Sequence, residues 1–548
     1  MPGAAPRPAD PHSRSSGLLI AAAIVAFGFI GSRLLGIVRT AAIADQFGSA
    51  PDVAAYRVAF LVPDLIFQVL AGATIGSAFI PVFARLYRRD GEERAWQLAS
   101  SALTLITAAT AALCVIAFIL APVLVPALAP GLNDATTADF DVEGKAVSLT
   151  RLMLLSPLLF AVSGMVTGIL NARQQFFLPA LSPMLYNVAI IFGALVLAEP
   201  WGIEGVAIGV VAGAGLHLAI QLPGLVRERM KFRLSFAWRD AAVREVGRLM
   251  GPRVLGLAAV QLNLFVTVFF ASRLGSSELA NVTYAFFIAQ LPLALFAMAL
   301  STAAFPRLAD LAADDDMAAL RDTISRVLRF ILFLTIPAAI GLALLREPVT
   351  RVLLERGEFT SADTTMAALA VGWYCLGIVP QAGVEIHSRG FYALGDTRTP
   401  VILTGLNLLV NAILSAILWQ EFELAGLAFA VGVASWVEWL LLYHLYARRA
   451  EADTKEETTY IGAYAFAAGA MAIFLALAWW LLDFDTGARS AVGAIALGGA
   501  GAAFYFALSN WLGLPEAREA AHRARALLRR EQPQQDRARS MLDALDDQ

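Results

Sequence analysis

The stretch GSRLLGIVR, Gly31–Arg39, lies inside the first long apolar run of the chain, residues 17–43. About 20 mostly apolar residues are enough to span a membrane as a helix, and this run meets that length. Its two arginines, Arg33 and Arg39, would each cost about 2.5–3.5 kcal/mol at the centre of a bilayer. Arginines in such positions face protein or water rather than lipid. The stretch therefore predicts a membrane protein with positive charge in its interior.

The composition of the chain is typical of a membrane protein with many spans. Of its 548 residues, 58% are hydrophobic and only 16% are charged, and the mean hydropathy is +0.67. Soluble domains carry about 25% charged residues. The net charge of −3 gives no basic excess that would indicate a nucleic-acid partner. Cys114 and Cys375 lie far apart in apolar runs, which predicts two buried free thiols.

Motifs of soluble catalysis are missing from the sequence. It has no glycine-rich phosphate-binding loop, no Cys/His metal spacing and no nucleophile elbow. These absences argue against an enzyme and against an ATP-driven pump formed by this chain alone, and they favour a transporter without an ATP site.

The apolar runs predict an all-α membrane protein with fourteen spans. The first run is too long for the core of a signal peptide, so we expect it to be retained. The predicted spans are 17–43, 54–84, 97–121, 148–170, 178–199, 203–225, 248–272, 278–305, 326–345, 365–388, 399–419, 424–446, 460–482 and 489–512.

The charges of the loops predict the orientation. Cytoplasmic loops carry an excess of Lys and Arg, and basic loops such as 85–95 and 226–247 alternate with loops that are poor in both residues. The exception is loop 346–364, which has three arginines on a predicted outer face. The alternation predicts that both termini are cytoplasmic.

Two segments of the sequence recur six spans apart. Residues 47–86 and 274–311 share a Gly-Ser turn, a mid-span proline (Pro63 and Pro292) and a proline before a basic loop. An even number of spans keeps both halves in one orientation, related by a pseudo-twofold axis along the membrane normal. We therefore expect two six-helix lobes around a central cavity, with the shared prolines as hinges.

This architecture divides the chain into six parts. They are a cytoplasmic tail (1–16), an N-lobe (17–225), a basic cytoplasmic linker (226–247), a C-lobe (248–446), two extra helices (460–512) and a cytoplasmic tail (513–548).

Six segments, spread in order over the predicted spans, resemble the MurJ (MviN) lipid II flippases. That family is a branch of the superfamily that includes multidrug and polysaccharide exporters. The segments are GSRLLGIVR (31–39), the FGS turn (47–49), NARQQFFLPALSPMLYN (171–187), MGPRVLGL (250–257), RGEFTSADT (356–364) and RGFYALGDTRTPV (389–401).

The resemblance implies a flippase of the bacterial inner membrane that moves the undecaprenyl-diphosphate-linked disaccharide-pentapeptide of peptidoglycan from the inner to the outer leaflet. It implies twelve core spans in two lobes, plus two extra spans with a groove for the lipid tail. The expected partners are lipid II or a similar polyprenyl-diphosphate glycolipid and membrane lipid. A monomer without a cofactor is expected, working by alternating access, with Na⁺ or H⁺ as candidate coupling ions.

The resemblance also implies a substrate site in the first span. Ser32, Arg33 and Arg39 match family positions that line a cationic cavity and face the diphosphate. Guanidinium groups suit this role because they bind phosphate oxygens in bidentate fashion and keep their charge. The two arginines lie about 120° apart around the helix. Gly36 between them leaves room for a headgroup or a neighbouring helix.

Several charged positions of the family are uncharged in this chain. An acidic residue falls on Thr40, a basic residue of span two on Phe67, a glutamate on Gly72 and an arginine of span eight on Phe287. Arg57, at the outer end of span two, is the candidate to replace one of these charges.

Other polar residues inside the spans are candidates for ion coupling or helix packing. Four neutral side chains lie on spans seven and eleven: Gln261, Asn263, Asn407 and Asn411. Since hard cations favour carboxylate oxygens, these amides favour interhelical hydrogen bonds over a sodium site.

Two carboxylates lie inside later spans, Glu385 in span ten and Glu438 in span twelve. Intramembrane carboxylates are functional candidates. Each of these carboxylates is a candidate for one of two roles. It titrates and couples transport to protons, or it pairs with an arginine of the cavity.

Three functions are consistent with these features. The first is the lipid II flippase. The second is a cation-coupled exporter of another lipid-linked glycan or of drugs, which the missing cavity charges favour. The third is a membrane scaffold that has kept the fold and lost transport, in which partner binding would persist without flipping.

Overall fold

A computed structural model of the chain describes residues 11–72, 78–133, 141–228, 230–450, 455–482 and 488–521. Their regular structure is helical, which confirms the all-α class. The helices are α1 (Pro11–Phe47), α2 (Pro51–Phe67), α3 (Ile80–Arg89), α4 (Glu92–Leu128), α5 (Val142–Met153), α6 (Leu155–Ala172), α7 (Phe177–Phe192), α8 (Ala198–Trp201), α9 (Ile203–Ala219), α10 (Leu222–Arg227), α11 (Ala241–Ser272), α12 (Ser276–Pro292), α13 (Ala299–Ala313), α14 (Met317–Leu344), α15 (Arg346–Leu354), α16 (Ser361–Ala393), α17 (Arg398–Ala450), α18 (Lys455–Leu482) and α19 (Ala488–Trp511).

The number of spans differs from the predicted fourteen. In the described part of the chain, eleven helices are long and apolar enough to cross a membrane. The count becomes twelve if Gly493–Trp511 and Pro515–Ala521, bent by 113°, form one span. Each predicted span overlaps a helix. The count is lower because Arg398–Arg449 counts as one helix, Gly493–Trp511 belongs to the bent pair, and α11 contributes only the shorter apolar helix Gln261–Ser272.

Helix α17 accounts for part of this difference. Its 53 residues would extend about 80 Å as one straight helix, against a hydrocarbon core of about 30 Å. Glu423 interrupts it with φ 46° and ψ −130°, which are not helical values. A Cβ at Gly426 would lie 2.8 Å from the carbonyl oxygen of Leu418, so the chain packs closely on itself there. The interruption falls between the predicted spans 399–419 and 424–446.

Aspartate side chains begin several helices by capping their first amide groups. Asp141 accepts a hydrogen bond from the Gly144 amide at 2.7 Å, and Asp316 accepts one from Ala319 at 3.0 Å. Such caps satisfy amides that have no partner in the first turn of a helix. The ends of α5 and α14 are thereby fixed by residues outside the apolar runs.

The two prolines of the sequence repeat are each followed by π-helical turns. Pro63 lies in α2, which continues into the π-helical segment Gln68–Gly72. Pro292 ends α12 and precedes the π-helical segment Leu293–Met298. Proline removes a backbone hydrogen bond, and π-helical turns often occur at functional sites. Both positions are irregular, as the hinge hypothesis requires.

The described residues form two compact units. Unit 1 comprises Met1–Ala285, Thr350–Ala370 and Val401–Ala430. Unit 2 comprises Phe286–Val349, Val371–Pro400 and Val431–Gln548. The division into lobes at 17–225 and 248–446 stays a prediction.

Within unit 1, three turns on the predicted outer face contact one another. The Glu358 amide donates to the carbonyl oxygen of Asp45 at 2.9 Å. The hydroxyl oxygens of Ser49 and Ser277 lie 2.8 Å apart. Asp363 accepts a further hydrogen bond from the Ser49 hydroxyl. The turns after α1, before α12 and before α16 therefore lie on one side of the protein.

This three-turn cluster, defined by Ser49, Ser277 and Asp363, depends on two glycines with left-handed backbone. Gly48 has φ +53° and Gly357 has φ +56°. A Cβ on either would collide with backbone atoms of the facing turn. The turn before α16 belongs to loop 346–364, the loop whose arginines break the charge pattern. It contacts two turns that are poor in Lys and Arg, so it groups with the predicted outer loops.

The basic linker 226–247 is attached to α4. The Arg94 guanidinium lies 2.6 Å from the Asp240 carboxylate, which also accepts from the Ala242 and Val243 amides at the start of α11. Partial burial alone would raise the pKa of Asp240, but the Arg94 hydrogen bond and these amides lower it. The carboxylate therefore stays charged and keeps the linker in place.

Within unit 2, the C-terminal helices pack on α14. The Tyr505 hydroxyl donates to the carbonyl oxygen of Phe333 at 2.9 Å, and the rings of Phe333 and Tyr464 meet edge to face at 5.8 Å. Arg329 lies 3.7 Å from Glu516, and both side chains are largely buried. Aromatic packing therefore holds α18 and α19 on α14, and the Arg329–Glu516 ion pair holds the segment that follows α19.

Candidate functional site

A cavity of about 440 Å³ lies within unit 1. Its walls come from helices α1, α2, α6, α7, α9, α11 and α12, so it is built mostly from the first six predicted spans. Its polar and charged lining residues include Arg39, Tyr56, Arg57, Asp64, Tyr186 and His217. A cavity with convergent polar groups among apolar helices is the usual form of a ligand site.

Arg57 has unsatisfied hydrogen-bond donors in this cavity. Its Nε and Nη2 atoms are buried, and neither has a hydrogen-bond partner among the described residues. The guanidinium carbon lies 5.3 Å from the Tyr284 ring and 5.9 Å from the Tyr56 ring. Buried polar groups are normally paired, so these two donors are available to an acceptor that the described residues do not supply.

Arg39 brings a second positive charge to the same cavity. It is half-buried and, like Arg57, forms no ion pair with any described residue. Phosphate and carboxylate ligands suit two guanidinium groups of this kind, because each can form paired charge-assisted hydrogen bonds. The cavity therefore has the electrostatics of an anion site.

Asp64 is the carboxylate of the cavity. Gln261 on α11 donates a hydrogen bond from Nε2 to Asp64 Oδ2 at 2.7 Å. Asp64 follows Pro63 in α2, so the carboxylate lies beside the irregular part of that helix. Gln261, predicted as a packing or coupling residue, thus holds a cavity carboxylate.

The remaining residues of the first-span motif lie elsewhere on α1. Arg33 is exposed, with its guanidinium 5.2 Å from the Phe29 ring, and it is not among the described residues that line the cavity. Ser32 accepts a hydrogen bond from Asn187 on α7 at 3.2 Å. Gly36 is buried, and a Cβ there would meet open space. The structure thus brings Arg39 and Arg57 together and leaves Arg33 on another face.

Three of the predicted amides form a hydrogen-bonded cluster between α11 and α17. Asn263 donates to Asn407 at 3.0 Å, and Asn411 donates to Asn263 at 2.6 Å. Ser415 donates to the Asn411 oxygen at 3.2 Å. The oxygens that would bind a cation are therefore used as acceptors within the protein.

We expect Asn411→Leu to weaken helix packing without changing ion dependence. The substitution removes a donor to Asn263 and an acceptor for Ser415, and such bonds contribute about 0.6–2 kcal/mol in membranes. A lower melting temperature in detergent, with transport equally active in Na⁺ and K⁺ buffers, is the expected result. A loss of sodium-stimulated transport in the variant would contradict it.

The two predicted carboxylates of later spans belong to unit 2. Glu385 forms an ion pair with Arg389, one turn along α16, at 3.2 Å. Glu438 on α17 is buried, with 6% of its surface exposed. Their role in proton coupling stays a prediction.

The uncharged positions of the family pattern divide between the units. Phe67 lines the cavity of unit 1, with its ring 4.9 Å from the Phe160 ring. The Thr40 hydroxyl donates to the Gly36 carbonyl at 3.0 Å, so its hydrogen bond is made within α1. Gly72 ends the π-helical segment of unit 1, and Phe287 belongs to unit 2. Arg57, the candidate to replace one of these missing charges, lines the cavity and brings a positive charge to it.

His217 is a cavity residue that the sequence interpretation did not single out. It lies on α9, and its Nδ1 atom is 2.6 Å from the Ser163 hydroxyl. The rule that marks intramembrane ionisable residues as candidates would have found it, since His217 lies well inside the predicted span 203–225. Among the residues that the structure describes, no group of three or more His, Cys, Asp or Glu could hold a metal ion.

Comparison with known proteins gives the family. The family model described as "Lipid II flippase MurJ" matches residues 43–494. A lipid II flippase MurJ from Burkholderia cenocepacia is 30% identical over 418 residues, which cover 75% of this chain and 80% of that protein. A probable lipid II flippase MurJ from Rhizobium meliloti is 30% identical over 516 residues, which cover 88% of this chain and 92% of that protein.

Solved structures share the fold. One described as lipid II flippase MurJ in an inward closed conformation aligns with TM-score 0.75 and 23% identity, over 89% of this chain and 98% of that chain. An inward-facing multidrug transporter of the MATE family aligns with TM-score 0.64 and 14% identity, over 77% of this chain and 94% of that chain. The family model covers most of the sequence, and this chain therefore belongs to the MurJ lipid II flippase family.

Proposed function

We propose that this chain moves lipid II from the inner to the outer leaflet of the bacterial cytoplasmic membrane, with both termini in the cytoplasm. Its family consists of flippases, which are transporters. The observation that carries the proposal is the pair of buried Arg57 donors, Nε and Nη2, which have no hydrogen-bond partner among the described residues and lie in a cavity that also holds Arg39. A diphosphate would supply acceptors for the Arg57 donors and negative charge for both guanidinium groups.

The cavity divides its surface between charge and apolar area. Arg39 and Arg57 bind the diphosphate, while aromatic walls at Phe67 and Phe160 offer apolar surface to the adjoining sugar. The polyprenyl chain stays in the surrounding lipid, because its transfer into a polar cavity would lose hydrophobic free energy. Recognition thus rests on the headgroup.

Alternating access gives the three-turn cluster a role. If the three turns lie on the outer face, their hydrogen bonds close the cavity of unit 1 on that side. Release of substrate to the outer leaflet then requires the bonds among Ser49, Ser277 and Asp363 to break. Reforming them resets the transporter.

A complementation assay tests the function. We expect the chain to restore growth of cells depleted of their own lipid II flippase, because the family and the anion site both match that substrate. Growth at non-permissive conditions and lipid II accessibility on the outer surface are the measurements. No rescue, despite a normal amount of protein in the membrane, would contradict the proposal.

One feature favours a second candidate, a cation-coupled exporter. The Asp64 carboxylate lies on the cavity and is held by Gln261 at 2.7 Å, so a proton or cation bound there could drive export. Resistance to cationic drugs on expression, lost in Asp64→Asn and accompanied by no lipid II flipping, would favour this function.

A further inference from the structure

The hydrogen bonds around His217 fix which ring nitrogen carries the proton. The His217 carbonyl oxygen, which can only accept, lies 2.9 Å from Gln221 Nε2 and so identifies that end of the amide as its NH₂ group. Thr167 donates to the other end, Oε1, at 2.8 Å. The amide also donates to the Ser163 hydroxyl at 2.8 Å. Among the described residues, His217 Nδ1 is the acceptor within hydrogen-bond distance of the Ser163 hydroxyl, because its other neighbour, Gln221 Nε2, is itself a donor.

The Ser163 hydroxyl proton therefore goes to the His217 ring. Ser163 Oγ lies 2.6 Å from Nδ1, so Nδ1 accepts and a neutral imidazole must carry its hydrogen on Nε2. The Nε2 donor has no hydrogen-bond partner among the described residues. The network thus leaves one N–H group of a cavity-lining residue unused.

The surroundings favour a neutral and fixed ring. The charged groups of the same cavity are Arg39, Arg57 and Asp64, two positive and one negative, so a third positive charge would add repulsion. The Phe160 ring meets the imidazole edge to face at 5.2 Å. Because packing and the Ser163 bond both restrain the ring, its N–H is preorganised as a donor.

We propose that His217 recognises an uncharged oxygen acceptor, a hydroxyl or amide carbonyl, on the sugar adjoining the diphosphate of the transported lipid. This inference rests on the proposed function and assigns a specificity residue to it. The arginines supply the charge that a phosphate requires, whereas a neutral N–H group adds selectivity for the sugar without adding charge. Ser163 and Gln221 are positioning residues that act through His217.

Binding of two probes to the full-length protein tests the proposal. The probes are lipid II and undecaprenyl diphosphate, which has the same diphosphate and tail without the sugars. His217→Phe keeps a ring against Phe160 and removes the N–H group. We expect it to weaken lipid II binding about two- to tenfold, the loss for one neutral hydrogen bond, with undecaprenyl diphosphate unchanged.

A second variant covers the case in which His217→Phe does not fold. Ser163→Ala removes the hydroxyl that holds the Nδ1 acceptor, so the ring hydrogen is no longer confined to Nε2, and lipid II alone should again bind more weakly. Equal loss for both probes, or no loss for either in a folded variant, would overturn the assignment to the sugar. Native protein that binds neither probe would overturn the proposed function, and this inference with it.

Discussion

Replacing Arg57 with alanine is expected to abolish rescue of flippase-depleted cells and to weaken lipid II binding by about tenfold to 150-fold. The range corresponds to about 1.5–3 kcal/mol for hydrogen bonds to a charged group. The effect should be large because the Nε and Nη2 atoms of Arg57 are buried and have no partner among the described residues. Binding of lipid II to purified protein, measured beside growth rescue, gives both values.

The same variant should not lose stability. A buried charge without a counterion destabilises the free protein, so Arg57→Ala is expected to melt at the same temperature as the native protein or higher. Arg57→Lys keeps the charge but loses the planar fork, and should retain part of the affinity. Arg89→Ala, at an exposed site at the end of α3, is the matched control and should bind normally. A stable Arg57→Ala protein that binds lipid II with native affinity would exclude the proposed anion site.

The sequence predicts the helices of this protein better than its cavity. Apolar runs locate spans because every span must be apolar over a fixed length, and each predicted span overlaps a helix. At α17 the predicted spans 399–419 and 424–446 are separated by Glu423, the residue with non-helical backbone angles. Hydropathy does not contain the backbone angles of a single residue, so it locates the two segments but not the geometry of the joint between them.

The composition of the cavity depends on helix rotation, which a single sequence does not fix. Arg33 and Arg39 share one helix and lie about 120° apart around it. The neighbours of α1 decide which of them is enclosed: Gly28 and Gly31 pack closely on α7, and Arg39 faces the cavity. Tertiary packing sets this choice.

The role of His217 also could not be predicted from the sequence. Its place inside a span was visible, but its role depends on Ser163, Thr167 and Gln221, which surround it only in the folded protein. Phe67 is similar, because its presence in the cavity beside Phe160 gives a missing family charge a physical meaning. An apolar wall lies where the resemblance places that charge, so the proposed anion site depends on Arg39 and Arg57.

Introducing Ser49→Cys together with Ser277→Cys is expected to stop transport under oxidising conditions. The two hydroxyl oxygens lie 2.8 Å apart, a separation that brings two cysteine sulfurs within reach of a bond of about 2.05 Å. A disulfide there would hold two turns of the three-turn cluster together, and alternating access would stop with the outer side closed. Lipid II flipping in proteoliposomes should fall to background and return on addition of reductant.

The controls separate locking from damage. Each single cysteine variant should flip lipid II with or without oxidant, since serine and cysteine differ little in size. The native thiols of Cys114 and Cys375 are free and buried, so the experiment is repeated with both replaced by alanine. If the oxidised double variant is crosslinked, as judged by thiol titration, yet flips lipid II at the native rate, the cluster does not open during transport. The outer side of the cavity would then have to open elsewhere.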